Sequence, residues 1–196
     1  MMKKRRMVSI ILAGCLAAAA IPFTSFAETP TEEGLGNVTE PISVPTPEGA
    51  LNVTAGDVTV ENVTQGTTAV SVKAEGTDDV SATVNNVTIR GSDAYNLTGV
   101  SAKTYSGSTA SADVTVNNDV SVSVSGSNIT GVSAEAYSSR SNTKADVTVN
   151  GSVKAALNGT NNEGTSYGVH AIGNEENSSA SVTVKESVSS SSTGAA

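Results

Sequence analysis

The chain has 196 residues, 11 basic against 19 acidic, a net charge of −8, no Trp, two Phe, four Tyr, one Cys and one His. Excess negative charge repels phosphate, so nucleic-acid binding is not expected; a single Cys and a single His leave no ordinary zinc set. With so few rings, any core must be built from Val, Ala, Ile and Leu, which suits a thin regular stack better than a thick globule.

Residues 1–27 follow the plan of a secretory signal peptide. Lys3, Lys4, Arg5 and Arg6 precede an apolar stretch from Met7 to Ile21, shorter than the ~20 residues of a comfortable membrane span. Ser25-Phe26-Ala27 places small residues where the peptidase needs them, so cleavage is expected after Ala27 and the mature chain begins at Glu28. Leu12-Ala13-Gly14-Cys15 resembles a lipoprotein lipobox, but the chain stays apolar through Ile21 and the later cleavage signal follows. Cys15 therefore reads as a small apolar residue of the signal. Cleavage removes four basic residues and no acidic ones, taking the net charge to about −12 and leaving no disulfide and no membrane span. Export of a bacterial type, to the cell surface or the medium, is the expected destination.

From residue 28 to 49, Pro, Thr, Glu and Gly dominate without periodicity, and the stretch is read as a flexible linker. Residues 50–196 repeat three phrases. One is a small-residue tetrad: Gly99-Val100-Ser101-Ala102, Gly131-Val132-Ser133-Ala134 and Gly168-Val169-His170-Ala171, with Ala69-Val70-Ser71-Val72 as a degenerate first copy. The second alternates strictly: Asp57-Val58-Thr59-Val60, Ser81-Ala82-Thr83-Val84, Asp113-Val114-Thr115-Val116, Asp146-Val147-Thr148-Val149 and Ser181-Val182-Thr183-Val184. A third follows after a polar step, as in Val120-Ser121-Val122-Ser123-Val124 and Val153-Lys154-Ala155-Ala156-Leu157.

Period-2 alternation of β-branched with polar residues marks strands with one buried face. Asn85-Asn86, Asn117-Asn118-Asp119 and Asn150-Gly151 suit sharp corners, because Asn and Gly tolerate a left-handed backbone. Three strands, a corner and a loop of variable length in each period of 30-odd residues predict an all-β parallel β-helix, a β-solenoid of about four turns. One turn alone cannot bury its own apolar face, which is why the phrases must recur. The competing readings are a disordered Ser/Thr/Asn-rich stalk, which does not predict strict alternation at equivalent places, and behind it a β-sandwich. Thr193-Gly194-Ala195-Ala196 looks like the opening of another tetrad, so the sequence is expected to be a piece of a longer chain.

Candidate chemistry is sparse. His170 stands where other copies carry Ser101 and Ser133, an outward position expected for a surface substitution. No G-x-S-x-G elbow accompanies it. Asp113, Asp146 and Asp57 occupy matching phrase positions and could stack, but Ser81 and Ser181 hold the same place elsewhere, so solvated strand-start carboxylates are expected. Asp93 and Asp119 read as turn residues. Asn-x-Thr/Ser sequons such as Asn37-Val38-Thr39, Asn62-Val63-Thr64 and Asn128-Ile129-Thr130 arise from composition and are assigned no function. Tyr105 should lie over Tyr137, either covering the core edge or offering a small platform for a sugar.

No catalytic residue, metal ligand or cofactor site is expected, and the chain is read as non-enzymatic. Through G-V-S-A, A-D-V-T-V-N and V-S-V-S-V, residues 50–196 resemble the β-solenoid segments of bacterial surface proteins and autotransporter-type adhesins. The resemblance implies a stiff extracellular rod for adhesion, display or spacing. Glycans or host and matrix surface proteins would then be partners, met by the variable loops Tyr105–Thr109, Tyr137–Lys144 and Asn158–Ser166. The rival is a polysaccharide lyase or hydrolase on the same fold, which would need carboxylates and basic residues clustered on one outer face.

Overall fold

The computed structural model describes residues 31–44, 51–105, 108–137, 143–158 and 164–193. The expected signal segment, and parts of all three variable loops, lie outside the described residues. In the described residues every regular element is a strand and every pairing is parallel. A short first turn consists of β1 (Thr31–Leu35) and β2 (Ile42–Val44). The next turns are β3 (Leu51–Ala55), β4 (Val58–Gln65) and β5 (Thr68–Ala74), then β6 (Val80–Val84) and β7 (Val87–Thr104), then β8 (Ala112–Val116) and β9 (Val120–Ala136). They are followed by β10 (Thr143–Val149), β11 (Val153–Asn158) and β12 (Ser166–Gly173), and last by β13 (Ser178–Val184) and β14 (Val188–Thr193). The result is the expected β-solenoid: four full turns between residues 51 and 173, with a short turn before and two strands after.

Each turn has three sides. The first face is a six-stranded sheet, β1-β3-β6-β8-β10-β13. The second and third faces share one eight-stranded sheet, because β7 and β9 bend around a corner and serve both. Their opening residues pair with β4 and β11, and their closing residues with β5 and β12. Stacking at ~4.8 Å per turn converts equivalent sequence positions into ladders. Val53, Ala82, Val114, Val147 and Val182 run up the first face, and Val58, Val87, Val120, Val153 and Val188 up the second. Val70, Val100, Val132 and Val169 run up the third. Apart from the final rung and Val169, these side chains are buried in one continuous core of Val, Ala, Ile and Leu.

The corners explain the polar punctuation. Between the first and second faces, Asn117 N–H donates to the Val84 carbonyl at 2.8 Å and Asn150 N–H to that of Val116 at 2.9 Å, so the Asn steps are repeated corners and not hairpins. A line of side chains then climbs this edge. Asp57 N–H donates to Asn37 Oδ1, Asn86 Nδ2 to Asp57 Oδ1, Asp119 N–H to Asn86 Oδ1 and Ser152 N–H to Asp119 Oδ1. Bonds of this kind satisfy backbone groups that the sheets leave free at their ends. The corner between the second and third faces uses left-handed residues: Asn62, Asp93, Asn96 and Asn128 at φ of 53–58°. Gly126, at φ 145°, passes so close to Ala94 that a Cβ would lie 1.7 Å from its carbonyl oxygen. Only glycine fits there.

Two expectations need correction. The stretch 28–49 read as a flexible linker contains β1 and β2, which pair with β3 and β5, and Ile42 and Val44 are buried. Its Pro and Glu content hid a very short apolar alternation, Ile42-Ser43-Val44, that is long enough to cover the next turn. Asp57-Val58-Thr59-Val60 belongs to the second face, with Val58 on Val87, and the true first copy on the first face is Asn52-Val53-Thr54, with Asn52 on Ser81. The 24-residue step from Asp57 to Ser81 was the irregular one; Asn52 to Ser81 is 29.

Candidate functional site

The outer sides of the three faces differ in chemistry. The first face is a hydroxyl ladder, Thr54, Thr83, Thr115, Thr148 and Thr183, beside a second column of Asn52, Ser81, Asp113, Asp146 and Ser181. In-register parallel pairing places Asp113 against Asp146, as expected, while Asp57 stands at a corner. Burial, together with the charges of Asp146 and Asp79, pushes the Asp113 carboxyl up to about 6 against the opposing pull of Lys144. No described group of three or more His, Cys, Asp or Glu side chains converges closely enough to hold a metal ion.

The third face carries a connected polar network. Lys103 follows the tetrad of β7 by one residue, and register sets it against Glu135 at the same place in β9. Its Nζ donates to Glu135 Oε2 at 2.8 Å. Glu135 also accepts from Tyr137 Oη at 3.2 Å and from Ser133 Oγ at 3.2 Å. The Lys103 ammonium lies 5.4 Å from the ring centre of Tyr105 and 5.0 Å from that of Tyr137, within the range of cation–π attraction. Burial alone would raise the Glu135 carboxyl, but the hydrogen bond and charge of Lys103 outweigh it and hold the group below its ordinary value. Burial likewise pulls Lys103 down, and Glu135 reverses the sign, leaving it above its ordinary value. Burial and the Glu135 charge raise the Tyr137 phenol.

His170 lies over Ser133, as its tetrad position predicts, with its ring 5.6 Å from that of Tyr167. Two serines of this column are less open than expected of an outward ladder, Ser71 at 8% and Ser133 at 5% exposed, while Ser101 between them is partly open. Of the expected variable loops, residues 106–107, 138–142 and 159–163 lie outside the described residues. The described end of the first loop turns inward, with buried Ser108 donating to the Gly76 carbonyl at 3.0 Å.

The Lys103–Glu135 pair was missed from the sequence, although both residues stand two places after the serine of their tetrads. Asp93, at left-handed φ, and Asp119, on the corner ladder, are turn residues as expected. No helix among the described residues is long and apolar enough to cross a membrane. No protein-family model matches the chain, and neither a curated protein nor a solved structure matches it.

Proposed function

We propose that this chain is a non-enzymatic, exported surface or secreted rod of the adhesin-like kind, presenting long ladders of polar side chains to its surroundings. The carrying observation is the in-register repetition of Ser, Thr and Asn on the outer faces, as in Thr54, Thr83, Thr115, Thr148 and Thr183. A parallel stack fixes such ladders rigidly, since each strand is hydrogen-bonded on both sides. Glycans or matrix proteins are the partners this surface suits. Export is tested by expressing the chain in a bacterial host, sequencing its N-terminus and treating intact cells with protease. A mature N-terminus at Glu28, with the chain in the medium or removed by protease, is expected; an intact Met1 on a protected intracellular chain would sink the reading.

One observation favours a second reading, a polysaccharide lyase or hydrolase. Asp113 and Asp146 are stacked on one face, and Asp113, pushed up to about 6, is poised nearer neutrality than a solvated carboxylate. Release of unsaturated or reducing ends from pectic polymers, abolished by Asp113→Asn, would establish that activity; the rod reading expects no release.

A further inference from the structure

Among the described residues, aromatic side chains are confined to one side of the solenoid. Tyr105 and Tyr137 border the exit of the third face, Tyr167 and His170 stand on it, and Tyr95 occupies the corner leading into it. Tyr95 and Tyr167 are 42% and 48% exposed, so their rings meet solvent. Between the borders runs the column of Ser71, Ser101 and Ser133, the first and last of them almost buried, beside the more open column of Thr68, Thr98 and Thr130. No tyrosine stands among the described residues of the first-face strands.

We propose that this third face binds a neutral polysaccharide lying along the solenoid axis, a proposal that rests on the exported, surface-presenting reading above. Three arguments select the ligand. Tyrosine rings offer flat apolar faces to the C–H side of a pyranose and a phenol to its hydroxyls, while Thr98, Thr130, Lys103 and Glu135 supply donors and acceptors beside them. Charge disfavours a uronate, sulfate or phosphate polymer: the chain carries −8 overall, and of the two lysines in register on this face, Lys73 and Lys103, Lys103 is matched by Glu135. Geometry selects a polymer, because the partly open hydroxyls Thr68, Thr98 and Thr130 recur once per turn, at a rise of ~4.8 Å comparable with one sugar in an extended chain. A peptide partner fits less well. Strand addition needs an open sheet edge and helix docking needs an apolar groove, whereas this face is a paired sheet lined with hydroxyls.

The test uses proton NMR of the exported chain titrated with cellohexaose, chitohexaose, laminarihexaose and mannohexaose. His170 is the only histidine and adjoins Tyr167, so its ring signals report on the face unambiguously. At least one oligosaccharide should shift the His170 and tyrosine signals. Tyr167→Ala, a change at a half-exposed ring, should weaken that binding roughly tenfold, with Tyr137→Ala adding to the loss, while Thr115→Ala on the first face leaves it unchanged. Circular dichroism checks each fold; should Tyr137→Ala unfold, Tyr167→Ala carries the test alone. A silent His170 with all four sugars, wild-type affinity in Tyr167→Ala, or binding of polyuronate or a protein ligand alone would overturn the proposal. Those outcomes would leave the rod reading standing, since export is decided independently by the N-terminus and protease access.

Discussion

Asp113 pays for its place in the ladder with a carboxyl that is hard to ionise. Half-buried on the first face, with Asp146 in register and Asp79 nearby, it titrates at about 6 in the folded chain against 3.8 ordinarily. Between those values the folded state holds a proton that the unfolded state has lost, so stability falls as pH rises from about 4 to about 6 and levels off above. Asp113→Asn removes the charge and nearly keeps the shape. At pH 7 the variant is expected to be more stable than wild type by about 1 kcal/mol, the full shift being discounted for solvent screening. The gain should vanish near pH 4. Urea midpoints at pH 4, 5, 6 and 7 check this, and a difference that does not grow with pH would refute a carboxyl raised by burial and its acidic neighbours.

At the scale of strands, Lys103 and Glu135 bind β7 to β9 beyond what the backbone ladder supplies. The pair's protonation signature is opposite to that of Asp113. Glu135 is lowered, so its contribution is present above its unfolded value and lost as pH falls through the folded one; Lys103 is raised, so its contribution fades only in strong alkali. A double-mutant cycle with Lys103→Met and Glu135→Gln, read by urea unfolding, should give a coupling of about 1 kcal/mol, the pair being more shielded than an exposed one. Coupling near zero would reduce it to a chance contact. Strand identity and order were legible in the sequence because a parallel stack repeats its alternation at a nearly constant interval, so Val114 on Val147 and Tyr105 beside Tyr137 follow from counting. Two strands of the expected linker were not legible. A three-residue strand such as Ile42-Ser43-Val44 carries too few positions for its period to stand out. Asp57 was misplaced for a related reason: V-T-V occurs on two faces, and local pattern alone does not say which. The Lys103–Glu135 pair escaped because repeats are recognised by sameness, and this pair exists through a difference at one equivalent position.

Across the whole molecule, burial is graded along the axis. The central turns bury Val84, Ile89, Val116, Val122, Val132 and Val149 almost completely between neighbours above and below. In the last described rung Ala180, Val182 and Val184 are only partly buried and Val188 is 50% exposed, each being covered from one side by the described residues. In a solenoid, stability is close to a sum of turn terms and nearest-neighbour interfaces, so a rung with one interface opens more readily than a rung with two. When residues 1–196 are expressed by themselves, the β13 and β14 amides that hydrogen-bond to the preceding turn should therefore exchange with deuterium at least ~100-fold faster than those of β8 and β9, which would exchange only when the stack opens as a unit. Adding urea below the main transition should speed the central amides steeply and the terminal ones little, since the two openings expose different areas. Equal exchange across all turns, with equal urea dependence, would mean that the stack opens only as one block. Graded exchange would also bear on the third face, because Tyr167 and His170 sit on β12, where the outer turns begin to loosen, while Tyr105 and Tyr137 adjoin the best-covered strands. A polymer bridging these two groups would tie a loose turn to a firm one, and bound glycan would then slow exchange most in β12 and least in β8.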